Sequence, residues 1–264
     1  MPVWTECPAQ YANLFFLDAL VSGVRAALML DTGAGRTVLS RSLAEEAGAR
    51  FAGAARGGNN VGQVLEAQTA RVEALEFGGV ALEGLEALVL PDEVFRFEPD
   101  DRGNAFPARG FLGWDAISKV RWEVDPEHRR CRVGLSRAGA GLHNLSWDGF
   151  PVIRARWNGQ EVLLGFDSGH TGTLLSGWWR NKLPGCRSAR EQITGVGGGA
   201  EERVLIAPRL MLELGGKAIA LEDVPILERD IYGSGEGLTG LLGVDAVMGV
   251  RWTLDFAGGS FELE

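Results

Sequence analysis

Residues 24–40 read VRAALMLDTGAGRTVLS, and residues 160–176 read QEVLLGFDSGHTGTLLS. Each stretch is an apolar run, an Asp-Thr/Ser-Gly turn, three further residues, and then Thr followed by two apolar residues and Ser. Asp31 and Asp167 therefore stand 136 residues apart in equivalent surroundings. Two more pairs follow in the same order: VEALEFGG (72–79) with LMLELGG (210–216), and FLGWDAISKVRWEVD (111–125) with LLGVDAVMGVRWTLD (241–255). Three matched blocks with small drifts in spacing indicate a duplicated unit of about 120–130 residues.

The unit reads as mostly β. Short apolar runs flank Ser22-Gly23 in the first copy and Asn158-Gly159 in the second, both two-residue hairpin signals. Ser40 and Ser176 stand where N-caps of short helices belong, with Gly48 and Pro184-Gly185 ending them. Gly57–Gln63 and Gly195–Ala200 read as glycine-rich hairpin tips. The expected organisation is an N-terminal lobe over 1–134, a linker over 135–149 and a C-terminal lobe over 150–264.

Composition sets the outer limits. The chain has 264 residues, 45% of them apolar and 23% charged, which suits a folded core. A net charge of −9 with no basic run argues against nucleic acid as a partner. Three cysteines (Cys7, Cys131, Cys186) and three histidines (His128, His143, His170) show no metal-ligand spacing, so no metal and no cofactor are expected. The apolar stretch 14–30 is broken by Asp18, Ser22-Gly23 and Arg25, so no membrane span is expected. The N-terminus lacks a signal-peptide pattern and as written reads as cytoplasmic. A trimmed periplasmic or secreted protein would read the same.

A single Asp-Thr/Ser-Gly is an ordinary turn, in which Asp accepts backbone N–H bonds and Gly takes a positive φ. Two copies in a duplication, each followed downstream by apolar-apolar-Gly (Phe111-Leu112-Gly113 and Leu241-Leu242-Gly243), are another matter. At these motifs the chain resembles the pepsin-like and retropepsin-like aspartic proteases over nearly its whole length. The closest description is a single-chain tandem repeat of retropepsin-like units. The resemblance implies a two-lobed β-barrel fold and hydrolysis of extended polypeptide by a monomer, since each repeat supplies one aspartate.

Carried over by position, the resemblance makes Asp31 and Asp167 a catalytic pair sharing one proton. Gly33 and Gly169 would let the loops approach the carboxylates. The hydroxyls of Thr32 and Ser168 would bond across to the opposite loop. Gly113 and Gly243 would lie beneath the loops. Asp115 and Asp245, two residues after those glycines, read as N-caps of short helices.

Two departures stand out. Where pepsin-like enzymes carry a hydroxyl after Asp-Thr-Gly, this chain has Ala34 and His170. Loss of the hydroxyl raises the expected pKa values of the pair, and a charged His170 lowers them. The expected outcome is an optimum above pepsin's strongly acidic range, with His170 shaping the basic limb. Neither tyrosine, Tyr11 or Tyr232, falls in the flap region. Both units instead offer glycine-rich flaps: Gly57, Gly58, Asn59, Asn60, Val61 and Gly62 in the first, and Gly195, Val196, Gly197, Gly198 and Gly199 in the second. The segment 91–109, with three phenylalanines, is longer than its counterpart and lines the cleft or tucks its rings inward. Eight tryptophans are expected in core and interlobe packing. The alternative function is a peptide-binding module that keeps the fold without turnover.

Overall fold

A computed structural model describes residues 3–58, 64–136, 141–149, 151–231 and 237–264. Both hairpins nearest the N-terminus of each unit form where the turn chemistry predicts. Phe16–Val21 pairs with Val24–Leu30 around Ser22 (φ 47°) and Gly23 (φ 85°), and Pro151–Trp157 pairs with Gln160–Phe166 around Asn158 (φ 49°) and Gly159 (φ 79°). Two consecutive positive φ values are what a tight hairpin turn needs to match strand twist, and Asn-Gly adopts them readily.

From the end of each inner strand the chain makes the Asp loop, and a later strand returns to thread between the legs of that loop. Gly110–Leu112 runs parallel to Val24–Leu30 (Leu112 opposite Leu30) and antiparallel to Val38–Ser40. In the second unit Leu238–Leu242 runs parallel to Gln160–Phe166 (Leu242 opposite Phe166) and antiparallel to Leu174–Leu175. The fold is mostly β, in two lobes, with one sheet of nine strands and one of eight. Helices are short. Ser40 caps Arg41–Glu46 by accepting from Leu43 N–H at 3.2 Å, and Ser176 caps the single 3₁₀ turn Gly177–Trp179 by accepting from Trp178 N–H at 3.4 Å. Within 135–149, residues Leu145–Trp147 add an edge strand to Pro151–Trp157, and 137–140 lie outside the described residues.

A third sheet joins the two units. Its five strands are Thr5–Glu6, Arg130–Gly134, Arg121–Asp125, Trp252–Asp255 and Ser260–Leu263, in that order. At its centre the two matched closing segments pair antiparallel with each other, Val124 opposite Trp252. Trp122 and Trp252 are fully buried on this sheet. Trp122 stacks on Phe77 at 5.6 Å, and Trp252 meets Phe166 edge-on at 5.5 Å, directly before Asp167. The floor of the site is thus the seam between the lobes. Polar partners gathered on the buried Asp125 tie the seam: its carboxylate takes His128 Nδ1 at 3.0 Å, Arg130 Nη2 at 3.2 Å and, from the other lobe, Arg251 Nη2 at 3.1 Å. Burial alone would raise the Asp125 carboxyl, but these partners hold it down at about 2. The three cysteines are free thiols.

Candidate active site

Asp31 follows Leu30 at the end of one inner strand, and Asp167 follows Phe166 at the end of the other. Each is pinned to the returning strand, Asp31 N–H to Leu112 O at 3.1 Å and Asp167 N–H to Leu242 O at 2.9 Å. The loop amides turn inward: Gly33 and Ala34 N–H each donate to Asp31 Oδ1 at 3.0 Å, and Gly169 N–H donates to Asp167 Oδ1 at 2.8 Å. The two carboxyls face each other across the lobe boundary, close enough for each to influence the other's proton. Each also lies on the opposite loop's glycine. A Cβ at Gly33 would stand 2.5 Å from Asp167 Cγ, and one at Gly169 would stand 2.7 Å from Asp31 Cγ. Only glycine leaves room for this crossing.

Beneath the carboxyls the hydroxyls lock the loops to one another. Thr32 Oγ1 donates to Phe166 O at 2.7 Å and accepts from Ser168 N–H at 2.9 Å. Ser168 Oγ donates to Leu30 O at 2.7 Å and accepts from Thr32 N–H at 3.0 Å. Thr32 and Ser168 are 1% and 0% exposed, so these four bonds are shielded from competing water. The arrangement is two-fold symmetric, and serine does the work of threonine because only the hydroxyl takes part.

Gly113 and Gly243 lie under the loops. A Cβ on Gly113 would reach 2.2 Å from the Arg36 carbonyl carbon, and one on Gly243 would reach 2.6 Å from Gly172 O. These glycines also correct the reading of Asp115 and Asp245. The N-cap positions of Trp114–Ile117 and Val244–Ala246 are the glycines themselves, and each aspartate sits inside the first turn. Asp115 Oδ1 accepts from Thr37 N–H and Oγ1, both at 2.8 Å, while Asp245 accepts from Thr173 N–H at 2.9 Å and Oγ1 at 2.8 Å. Each threonine hydroxyl in turn accepts from the glycine N–H, at 3.2 Å in the first lobe and 3.3 Å in the second. The aspartates therefore brace the far leg of each Asp loop, and Asp245 Oδ1 also accepts from Ala246 N–H in its own first turn at 2.9 Å. Thr37 and Thr173 open the Thr-apolar-apolar-Ser element shared by the two copies, and that match is the sequence signal for their role.

Burial raises both carboxyls of the pair above an ordinary aspartic acid. For Asp31 the negative charge of Asp167 adds to the rise, against the N–H bonds of Ala34 and Gly33. For Asp167 the charge of His170 and the Gly169 N–H bond oppose it. A raised folded-state pKa means that the folded protein binds more protons than the unfolded chain. Stability from these groups is then fully present below about pH 4, where unfolded aspartate titrates, and is lost as pH rises through the raised values. The expected result is that the Tm difference between the wild type and an Asp167→Asn variant grows in the variant's favour as pH rises from 4 to 7. A difference independent of pH in thermal melts would show that folding does not raise the Asp167 carboxyl.

Both carboxyls open into a cavity of about 800 Å³. Its roof is the pair of hairpins Arg50–Gly58/Val64–Arg71 and Arg187–Gly195/Gly198–Leu214. Gly57, Gly58, Gly195 and Val196 line the cavity, and Gly198 and Gly199 continue the second hairpin. The tips meet: at Gly197 (φ 81°) a Cβ would stand 2.5 Å from Leu65 Cδ2 of the other hairpin. Asn59, Asn60, Val61 and Gly62 lie outside the described residues. His170 also lines the cavity, with Nδ1 2.6 Å from Gly172 O, so that nitrogen carries the proton and Nε2 is left for other partners. Ala34 lines the wall at the equivalent place and offers the Asp31 carboxyl only its N–H.

The segment 91–109 does both things foreseen for it. Phe95 is buried against Phe111 at 5.0 Å, while Phe97 and Phe106, 4.5 Å apart, line the cavity. Tyr11 joins them edge-on to Phe106 at 5.2 Å, its hydroxyl donating to Glu98 O at 2.8 Å. Nothing in the sequence placed Tyr11 here, because the N-terminal segment carries no repeat partner. Among the described residues no group of three or more metal-binding side chains comes together, and no helix is long and apolar enough to cross a membrane.

Residues 17–116 match the family described as aspartyl protease, Asp_protease_2. No curated protein matches the sequence. Among solved structures, an aspartic proteinase from Irpex lacteus superposes with a TM-score of 0.54 at 11% identity, over 99% of this chain and 97% of that one. At that identity the likeness speaks for the fold.

Proposed function

We propose that this chain belongs to the aspartic protease superfamily and is an endopeptidase that hydrolyses extended polypeptide with Asp31 and Asp167. The observation that carries this is the meeting of two buried carboxyls on cross-braced loops, open to a peptide-sized cleft. Two carboxylates so close cannot both ionise, so one proton is shared at working pH. The ionised carboxylate takes a proton from a water, whose oxygen attacks the scissile carbonyl carbon. The protonated carboxyl gives its proton to the carbonyl oxygen. In the second half the C–N bond breaks as the amine nitrogen takes the remaining proton from the pair, while a hydroxyl of the tetrahedral diol gives its proton to the pair and becomes the new carboxyl's carbonyl oxygen, so the pair again holds one proton. Both aspartates come from one chain, so a monomer holds the whole apparatus.

An extended polypeptide under the two hairpins would add a strand to their edges and leave its side chains in the cavity. The wall favours apolar groups: Met29, Phe97, Phe106 and Phe111 on one side, Leu238 and Leu241 on the other. Removing the ring in Phe106→Ala is expected to lower kcat/KM about tenfold or more for substrates with a bulky apolar side chain at the cut, and less for small ones. Equal losses across side-chain sizes would place Phe106 outside the specificity pocket. With a non-cleavable peptide bound, amide exchange at Gly57, Gly58, Gly195 and Val196 should slow; unchanged exchange at both hairpins removes them from binding.

The direct test is digestion of an unfolded protein mixture across pH 3 to 8, with product ends mapped by mass spectrometry. Internal cuts, most abundant above pepsin's strongly acidic range, are expected. A folded chain that binds peptides and never cuts them would instead be a binding module.

A further inference from the structure

Duplication makes the cleft nearly symmetric, and a symmetric cleft cannot tell one direction of a polypeptide from the other. The places where the copies differ therefore decide orientation. Along the two Asp loops Ala34 corresponds to His170, Gly35 to Thr171 and Arg36 to Gly172. Among the described residues that line the cavity, the ionisable side chains are the two aspartates, His170 and Arg36, apart from the weakly acidic phenol of Tyr11. Among the described residues the wall thus presents one permanent cation, on the first-lobe side, and no carboxylate beyond the pair.

Arg36 stands on a rigid base. Its carbonyl carbon fills the place a Gly113 side chain would occupy, and the next residue, Thr37, is tied to Asp115 through both N–H and hydroxyl. Its guanidinium is anchored at one corner: Nη2 donates to Glu86 O at 2.8 Å and to Glu86 Oε1 at 2.5 Å. Nε and Nη1 take no part in these bonds. The Glu86 pair is half exposed, so it is weak and exchangeable. A second carboxylate approaching from the cleft would meet a fork already oriented, which is the geometry in which arginine recognises carboxylates best.

We propose that Arg36 is a specificity-determining residue that takes an aspartate or glutamate side chain of the substrate as it passes the first-lobe loop, and that the absence of a counterpart at Gly172 fixes the direction in which the polypeptide lies. The inference rests on the cleft receiving polypeptide. Glu86 acts against it, competing for the same guanidinium.

The test uses non-cleavable reduced-amide peptides, amidated at the C-terminus, in which one glutamate or its glutamine match is moved along an apolar sequence. Wild type should bind the glutamate peptide about tenfold more tightly at one position, on one side of the reduced bond only. Arg36→Gln should bring that ratio to about one, and Arg36→Lys should restore part of it. Glu86→Gln should widen it, and rising salt should narrow it. An unchanged ratio in Arg36→Gln overturns the proposal, as does a glutamate preference on both sides of the bond. A preference confined to peptides with a free C-terminus also overturns it, because the carboxylate read would then be terminal. Binding is measured without turnover, so an Arg36-dependent ratio in a chain that cuts nothing would defeat the peptidase reading and keep this one. Cutting with no Arg36-dependent ratio would do the reverse.

Discussion

Asp31→Asn and Asp167→Asn should each reduce hydrolysis by about 10³-fold or more, down to the background of the assay. Asparagine keeps the shape and the acceptor oxygen, so Gly33, Ala34 and Gly169 can still donate to it. What it loses is the ability to take and return a proton, and the pair needs that at both ends of the reaction. The two single variants and the double variant should be about equally dead, because the carboxyls act as one unit. Residual activity that differs strongly between the two singles would mean that one aspartate works without the other. The same substitutions should raise the Tm at neutral pH, since asparagine stays neutral beside the remaining carboxylate without having to bind a proton. A dead variant that melts above the wild type at pH 7 also answers the objection that it merely failed to fold.

Gly113→Ala is expected to be the most damaging methyl group that can be added to this chain. Its Cβ would stand 2.2 Å from Arg36 C, 2.3 Å from Arg36 O and 2.5 Å from Thr37 N. All three are backbone atoms, so no side chain can swing aside. Either the returning strand leaves the loop, breaking Gly113 N–H to Thr37 Oγ1 and Trp114 N–H to Ala34 O, or the loop lifts and carries Asp31 with it. A loss of about 3 kcal/mol is expected from the overpacking, seen as a fall of about 8 °C in Tm, with kcat falling further than stability explains. Gly35→Ala is the control in the same loop: nothing lies within 4 Å of its Cβ, so it should melt like the wild type. Similar Tm values for the two variants would show that the floor beneath the loop can yield.

Most of the residues that come together around Asp31 and Asp167 are legible in the sequence, for a physical reason. A carboxyl crossing onto the opposite loop permits only glycine at 33 and 169, and a backbone-to-hydroxyl lock permits only Thr or Ser at 32 and 168. Such positions speak through residue identity alone. Asp115 and Asp245 misled because Asp near a helix start has two ways to satisfy its oxygens, and the local pattern favours the cap. The competing partners, Thr37 and Thr173, lie more than seventy residues away. The central seam was illegible for a similar reason. Segments 121–125 and 252–255 look like equivalents, and equivalence in sequence does not reveal that the two copies pair with each other. Tyr11 reaches the cavity from a stretch outside the repeat, where no periodicity or motif marked it.

The seam has a bearing on how such a chain can be cut apart. Arg121–Asp125 pairs with Arg130–Gly134 along one edge and with Trp252–Asp255 along the other, so a separated first half would present one unpaired strand edge backed by the buried face of Trp122 and Val124. That edge is a template, and it has two ways to be covered: the second half supplied as a separate polypeptide, or another first half. Expression of the halves apart should therefore give either a reconstituted heterodimer or a self-paired, aggregation-prone species, and not a pair of independent small domains.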